Sequence, residues 1–165
     1  MTKDSAKESL MVKQVSFIVV VRRIRTLGIA ITVGIAAIYL MGLLVISDKV
    51  NESLYILNIS SLIILAASVP LVFLIRKLLL RKVDLSNFQT VYFNAHIIPF
   101  AVMDFTGLFC ITTNLFVNPN LLFATLGVFI SVASMIFLFP KEEYFEELKS
   151  GNKNYLPPKN EDTKN

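Results

Sequence analysis

The chain has 165 residues, 55% of them hydrophobic and 17% charged, with a mean hydropathy of +0.65 and a formal net charge of +4. That apolar content is above what soluble domains carry and marks a membrane protein. One cysteine, Cys110, excludes an internal disulfide and any multi-cysteine metal or redox motif, and so modest a charge argues against nucleic acid as a partner.

The N-terminus, "MTKDSAKESLMVKQ", lacks the short basic start, apolar core and small-residue cleavage site of a signal peptide, so the first apolar run is expected to remain as a span. Residues 1–25 form a cytoplasmic or interfacial segment. Two readings of "SLMVKQVSFIVVVRRIRTL" stay open: an amphipathic helix along the inner membrane face, or a first span that begins early and tilts. "VSFIVVV" shows no clean helical period.

A helix rises about 1.5 Å per residue and must cross about 30 Å of hydrocarbon, so roughly 20 apolar residues make a span. Within residues 26–140 the runs Leu27 to Ile46, Leu54 to Ile75, Phe93 to Val117 and Leu121 to Phe139 meet that length. Lys and Arg beside span ends tend to stay in the cytoplasm. Arg22, Arg23 and Arg25 precede span one, and Arg76, Lys77, Arg81 and Lys82 follow span two. Lys141 follows span four, whereas "SDKVNES" and "NPN" carry no basic excess, so both termini are expected in the cytoplasm. The expected fold is an all-α four-transmembrane-helix bundle of two antiparallel hairpins joined by a basic segment. In the tail, residues 141–165, "KEEYFEELKS" suits a short charged helix and "GNKNYLPPKNEDTKN" suits disorder.

Asp104 stands inside an otherwise oily segment, "HIIPFAVMDFTGLF". A charged Asp at a helix centre costs about 2.5 to 3.5 kcal/mol on insertion scales, so it needs a partner or water, and a neutral carboxyl that donates a hydrogen bond is the expectation. Pro99 either kinks span three or starts its regular helix, and a start there would move Asp104 towards the cytoplasmic side. His96, eight residues earlier, is too far along the axis to touch Asp104 and reads as an interfacial histidine, with a relay through water as the alternative. Asn58, Ser61 and Ser68 share a broad face of span two and read first as helix-packing positions, with a polar pocket between the hairpins, lined by Asp104 and Asn58 or Ser61, as the sharper alternative.

Gly28, Thr32 and Ala36 on span one, Gly107 on span three, and Gly127, Ser131 and Ser134 on span four read as helix-packing positions, where small residues let backbones approach. The cluster "RKLLLRK", residues 76–82, is a positive-inside anchor, with anionic headgroup binding as its functional alternative. No phosphate-binding glycine loop, His-Glu-x-x-His, serine elbow or Cys-x-x-Cys is present, and one histidine, one cysteine and one intramembrane carboxylate make no metal set. No catalytic residue, cofactor or metal is therefore expected.

The stretch "AVMDFTGLFCITTNLF", followed by "NPN" and an apolar helix ending "FLFP", resembles uncharacterised four-span proteins of the bacterial inner membrane. A remoter likeness is to the proteolipids of rotary ATPases, which would give Asp104 a proton-carrying role. Proteolipids are glycine-rich and carry their acid on the second helix of a hairpin; this chain has 6 glycines and places Asp104 on the first. The resulting expectation is a multi-pass, non-enzymatic accessory or scaffold subunit of a bacterial inner-membrane complex. Its partners would be lipid and either copies of itself or other subunits. The alternative is a proton-coupled transporter or channel subunit that uses Asp104, Asn58, Ser61 and His96.

Overall fold

The computed structural model describes residues 3–45 and 51–151, and every regular element among them is helical. The order is α1 (Lys3–Val45), a 3-10 turn (Glu52–Leu54), α2 (Tyr55–Leu80), α3 (Phe88–Thr112), a π-helical turn (Thr113–Val117), α4 (Leu121–Leu138) and α5 (Tyr144–Gly151). Four helices are long and apolar enough to cross a membrane: Leu10–Val45, Glu52–Leu80, Phe88–Val117 and Leu121–Leu138. Residues 46–50 and the end of the tail, where disorder is expected, lie outside the described residues.

α1 is a single helix of 43 residues, and it contains no proline to interrupt it. At about 1.5 Å per residue it is roughly twice as long as the hydrocarbon core is thick. The stretch before Arg25 is therefore not a separate element. Its buried residues Phe17, Val20, Val21 and Ile24 recur at helical spacing, a period that the exposed Val15 and Val19 hide in the sequence. Phe17 packs on Phe88 and Tyr92 at the start of α3 and on Phe145 of α5, with ring centroids 5.8, 4.9 and 5.3 Å apart.

α3 is the hub of the bundle. It packs against α1, α2 and α4, while α1 and α2 barely meet. The direction of each pairing follows from its contacts. Ser61 lies near Cys110, Ser68 bonds Thr106 and Arg76 bonds His96, so α2 runs antiparallel to α3. Gly127 faces Cys110 and Gly107 faces Ser131, so α4 is also antiparallel to α3. Gly28 meets Phe100, Gly107 meets Ile35 and Gly42 meets Leu115, so α1 runs parallel to α3. This corrects the expected first hairpin: α1 and α2 run in opposite directions, but each docks on α3 and α4 and not on the other.

Glycines decide how close the helices come. A Cβ at Gly28 would lie 2.8 Å from Phe139 and 3.0 Å from Phe100, and one at Gly127 would lie 2.8 Å from the Cys110 sulfur. A Cβ at Gly107 would press on Ser131, and one at Gly42 on Leu115. The packing roles expected for Gly28, Gly107 and Gly127 therefore have a steric basis, and Gly42 joins them. Thr32 spends its hydroxyl on the Gly28 carbonyl of its own helix at 2.8 Å, with the Met135 sulfur 3.5 Å away. Ser131 and Ser134 are buried, and Ser131 Oγ has no hydrogen-bond partner among the described residues. The outward surface is apolar; Phe105, Phe129 and Phe137 are each 73% exposed, as lipid-facing side chains would be.

Candidate functional site

Polar side chains concentrate at three levels of the bundle. At the end away from the basic residues, α3 unwinds into the π-turn Thr113–Val117. The Asn118 amide there bonds the Thr113 carbonyl at 3.0 Å, and the Asn120 amide bonds the Asn114 carbonyl at 2.8 Å. Asn120 then caps α4 by accepting from the Phe123 amide at 3.1 Å.

This turn aims two asparagines at α2. Asn58 Nδ2 donates to Asn114 Oδ1 at 2.8 Å and to the Asn118 carbonyl at 2.7 Å, and Asn118 Nδ2 returns a bond to Asn58 Oδ1 at 2.8 Å. Asn114 Nδ2 donates to Ser61 Oγ at 3.0 Å and to the Cys110 carbonyl at 2.7 Å. Ser61 Oγ in turn donates to the Asn58 carbonyl at 2.8 Å, and Asn118 Oδ1 accepts from the Asn51 amide at 2.8 Å. Asn58, Ser61, Cys110 and Asn114 are fully buried, and Asn118 is nearly so. Side-chain amides carry two donors and a two-lone-pair acceptor, so three of them can close such a network without water. It ties α2, α3 and the α3–α4 connection together.

Asp104 is not part of this network. Asn58 and Ser61, the candidates for a pocket shared with it, are committed to Cys110 near the end of α3 and to Asn114 and Asn118 in the turn beyond it. Pro99 lies inside α3 and does not start it, which keeps Asp104 at mid-helix. By rise it stands about 12 Å from His96 and about 15 Å from Asn114. Its side chain makes no hydrogen bond or ion pair among the described residues, and it is partly exposed. On one flank are Phe100 and Gly107, which meet α1; on the other are the exposed Ala101 and Phe105. The carboxyl thus sits at the rim of the outward face of α3.

His96 is buried inside the bundle near its basic end, beside Arg76. Arg76 NH2 lies 3.2 Å from His96 Nε2, and His96 Nδ1 lies 2.9 Å from the Tyr92 carbonyl. A guanidinium can only donate, so Nε2 is the acceptor and the ring proton sits on Nδ1. Arg76 also reaches the carbonyls of Phe137 at 3.3 Å and Phe139 at 3.4 Å, while Arg25 reaches that of Pro140 at 3.3 Å. Tyr92 OH donates to the Lys141 carbonyl at 3.1 Å. These acceptors are the last carbonyls of α4 and its exit, which have no partners within the helix, and cations are the favoured groups at that negative dipole end. Arg25 pairs with Glu142 at 2.7 Å on the surface.

Arg76 is therefore a helix cap turned inward as well as part of the basic border. Arg22, Arg23, Lys77, Arg81 and Lys82 are exposed, as topology or headgroup residues would be. No group of three or more His, Cys, Asp or Glu that could hold a metal occurs among the described residues.

Sequence reasoning missed Asn114, Asn118 and Tyr92. A signal was present in "TNLFVNPN", which sets three asparagines around one helix end level with the start of span two.

The fold and its polar levels define a multi-pass helical membrane protein in which, among the described residues, nearly all buried side-chain polar groups are hydrogen-bonded and the mid-helix carboxyl of Asp104 is not. No protein family, curated protein or solved structure matches this chain.

Proposed function

We propose that the protein is a non-enzymatic accessory or scaffold subunit of a membrane complex in a bacterial cytoplasmic membrane, with both termini in the cytoplasm. The observation that carries this reading is Asp104, a mid-helix carboxyl at the rim of the outward surface of α3 with no partner among the described residues. Such a group is costly against lipid and is relieved by a hydrogen-bond donor on a neighbouring helix. A second subunit, either another copy or a different protein, supplies that donor. Elsewhere the interior is a set of internal ties: asparagines at one end and helix-capping arginines at the other.

The proton-path alternative draws little support. Its candidate relay groups are spent on other contacts, Asn58 and Ser61 on the asparagine network and His96 on Arg76 and Tyr92.

Mild extraction from native membranes tests the proposal. The wild-type chain should migrate as a complex larger than one 18.5 kDa chain with its bound detergent. Asp104→Leu should release it, and Asp104→Asn, which keeps a hydrogen-bonding group, should retain it. A monomer in all three cases rejects the reading. A complex kept by all three rejects the role of Asp104.

A further inference from the structure

The geometry points to an anionic-phospholipid site in the groove between the basic end of α2 and α5. This groove, of about 530 Å³, is lined by Phe73, Arg76, Lys77, Leu80, Arg81 and Tyr144. None of these residues is acidic.

Their order along α2 matches the polarity of a glycerophospholipid. Phe73, Lys77 and Arg81 recur every four residues and so form one stripe, with Phe73 deepest in the membrane-spanning part. An acyl chain would lie along Phe73, and a phosphate would meet Lys77 and Arg81, both exposed and with no side-chain partner among the described residues. Arginine presents a planar fork to phosphate oxygens and lysine adds a point charge, which together give charge-assisted bonds.

The walls of the groove are fixed. Tyr144 OH donates to the Leu80 carbonyl at 2.9 Å and stacks on Tyr92 at 5.2 Å, holding α5 against α2. Arg76 is held by Phe137, Phe139 and His96, but its enclosed Nε finds no acceptor among the described residues. An oxygen in the groove is the kind of acceptor it lacks. A set of cations that only fixed topology would not need a rigid recess with an apolar wall. This site does not depend on the subunit role proposed above.

The test is native mass spectrometry of the full-length protein in micelles. It is titrated with phosphatidylglycerol, with phosphatidylcholine of the same acyl chains, and with inorganic phosphate as a competitor. Phosphatidylglycerol should be retained over phosphatidylcholine, and Lys77→Gln/Arg81→Gln should weaken its binding about thirtyfold, the scale of two surface cations. Lys82→Gln/Lys141→Gln, which removes the same charge from exposed positions outside the groove, should leave binding unchanged. Equal weakening by both pairs, equal retention of the two lipids, or displacement by phosphate at lipid concentrations would overturn the site.

Discussion

Arg76 NH2 sits 3.2 Å from His96 Nε2 while the same guanidinium reaches the Phe137 and Phe139 carbonyls, so one side chain joins α2, α3 and the end of α4. Replacing it by methionine keeps the apolar stem and leaves these acceptors without a donor. The expected cost is about 3 kcal/mol, because each buried acceptor left unsatisfied costs about 1 to 3 kcal/mol. Thermal unfolding in micelles measures it, and a loss below about 1 kcal/mol would mean that water replaces the guanidinium.

The asparagine network should show coupling. In a cycle of Asn58→Ala, Asn118→Ala and the double variant, the reciprocal pair should give about 1 kcal/mol of interaction, within the range of hydrogen bonds in membrane bundles. Additive single losses would mean that the two amides act independently.

Glycine substitutions should split by site. Gly107→Ala drives a Cβ into Ser131 and should destabilise by about 1 to 3 kcal/mol, with Ser131→Gly restoring most of the loss. Gly34 has nothing within 4 Å of a built Cβ, so Gly34→Ala should be neutral or gain up to about 1 kcal/mol from helix propensity. Equal effects at the two sites would contradict the packing described here.

Cys110 is fully buried against Gly127 and the Ser61–Asn114 pair. A membrane-permeant maleimide should leave it unlabelled in the folded protein and label it after denaturation. Rapid labelling of the native chain would show that this part of the core opens.

Much of the architecture was legible because spans are read from run length, and the helices end within a few residues of the expected bounds on α2 and α4. The partner of each helix was not legible. A short connection makes α1 and α2 antiparallel, but contact is decided by glycines such as Gly28 and Gly42, which seat α1 on Phe100, Phe139 and Leu115 instead. Asp104 stood out as an anomaly, yet composition favours a partner within the same chain. Only the placement of Asn114 and Asn118 reveals that Asn58 and Ser61 are already occupied. Arg76 was hidden for a similar reason: from sequence alone, an arginine at a basic border looks the same whether it faces water or caps another helix.

The rim of α3 around Asp104 is the surface proposed to meet another subunit. A photo-crosslinking side chain at Phe105, beside the carboxyl and 73% exposed, tests this in native membranes against the same group at Phe129, equally exposed on α4. The account predicts a discrete protein adduct from position 105, lost in Asp104→Leu, and none from position 129. Lipid adducts alone at position 105, or the same protein adducts from both positions, would contradict it.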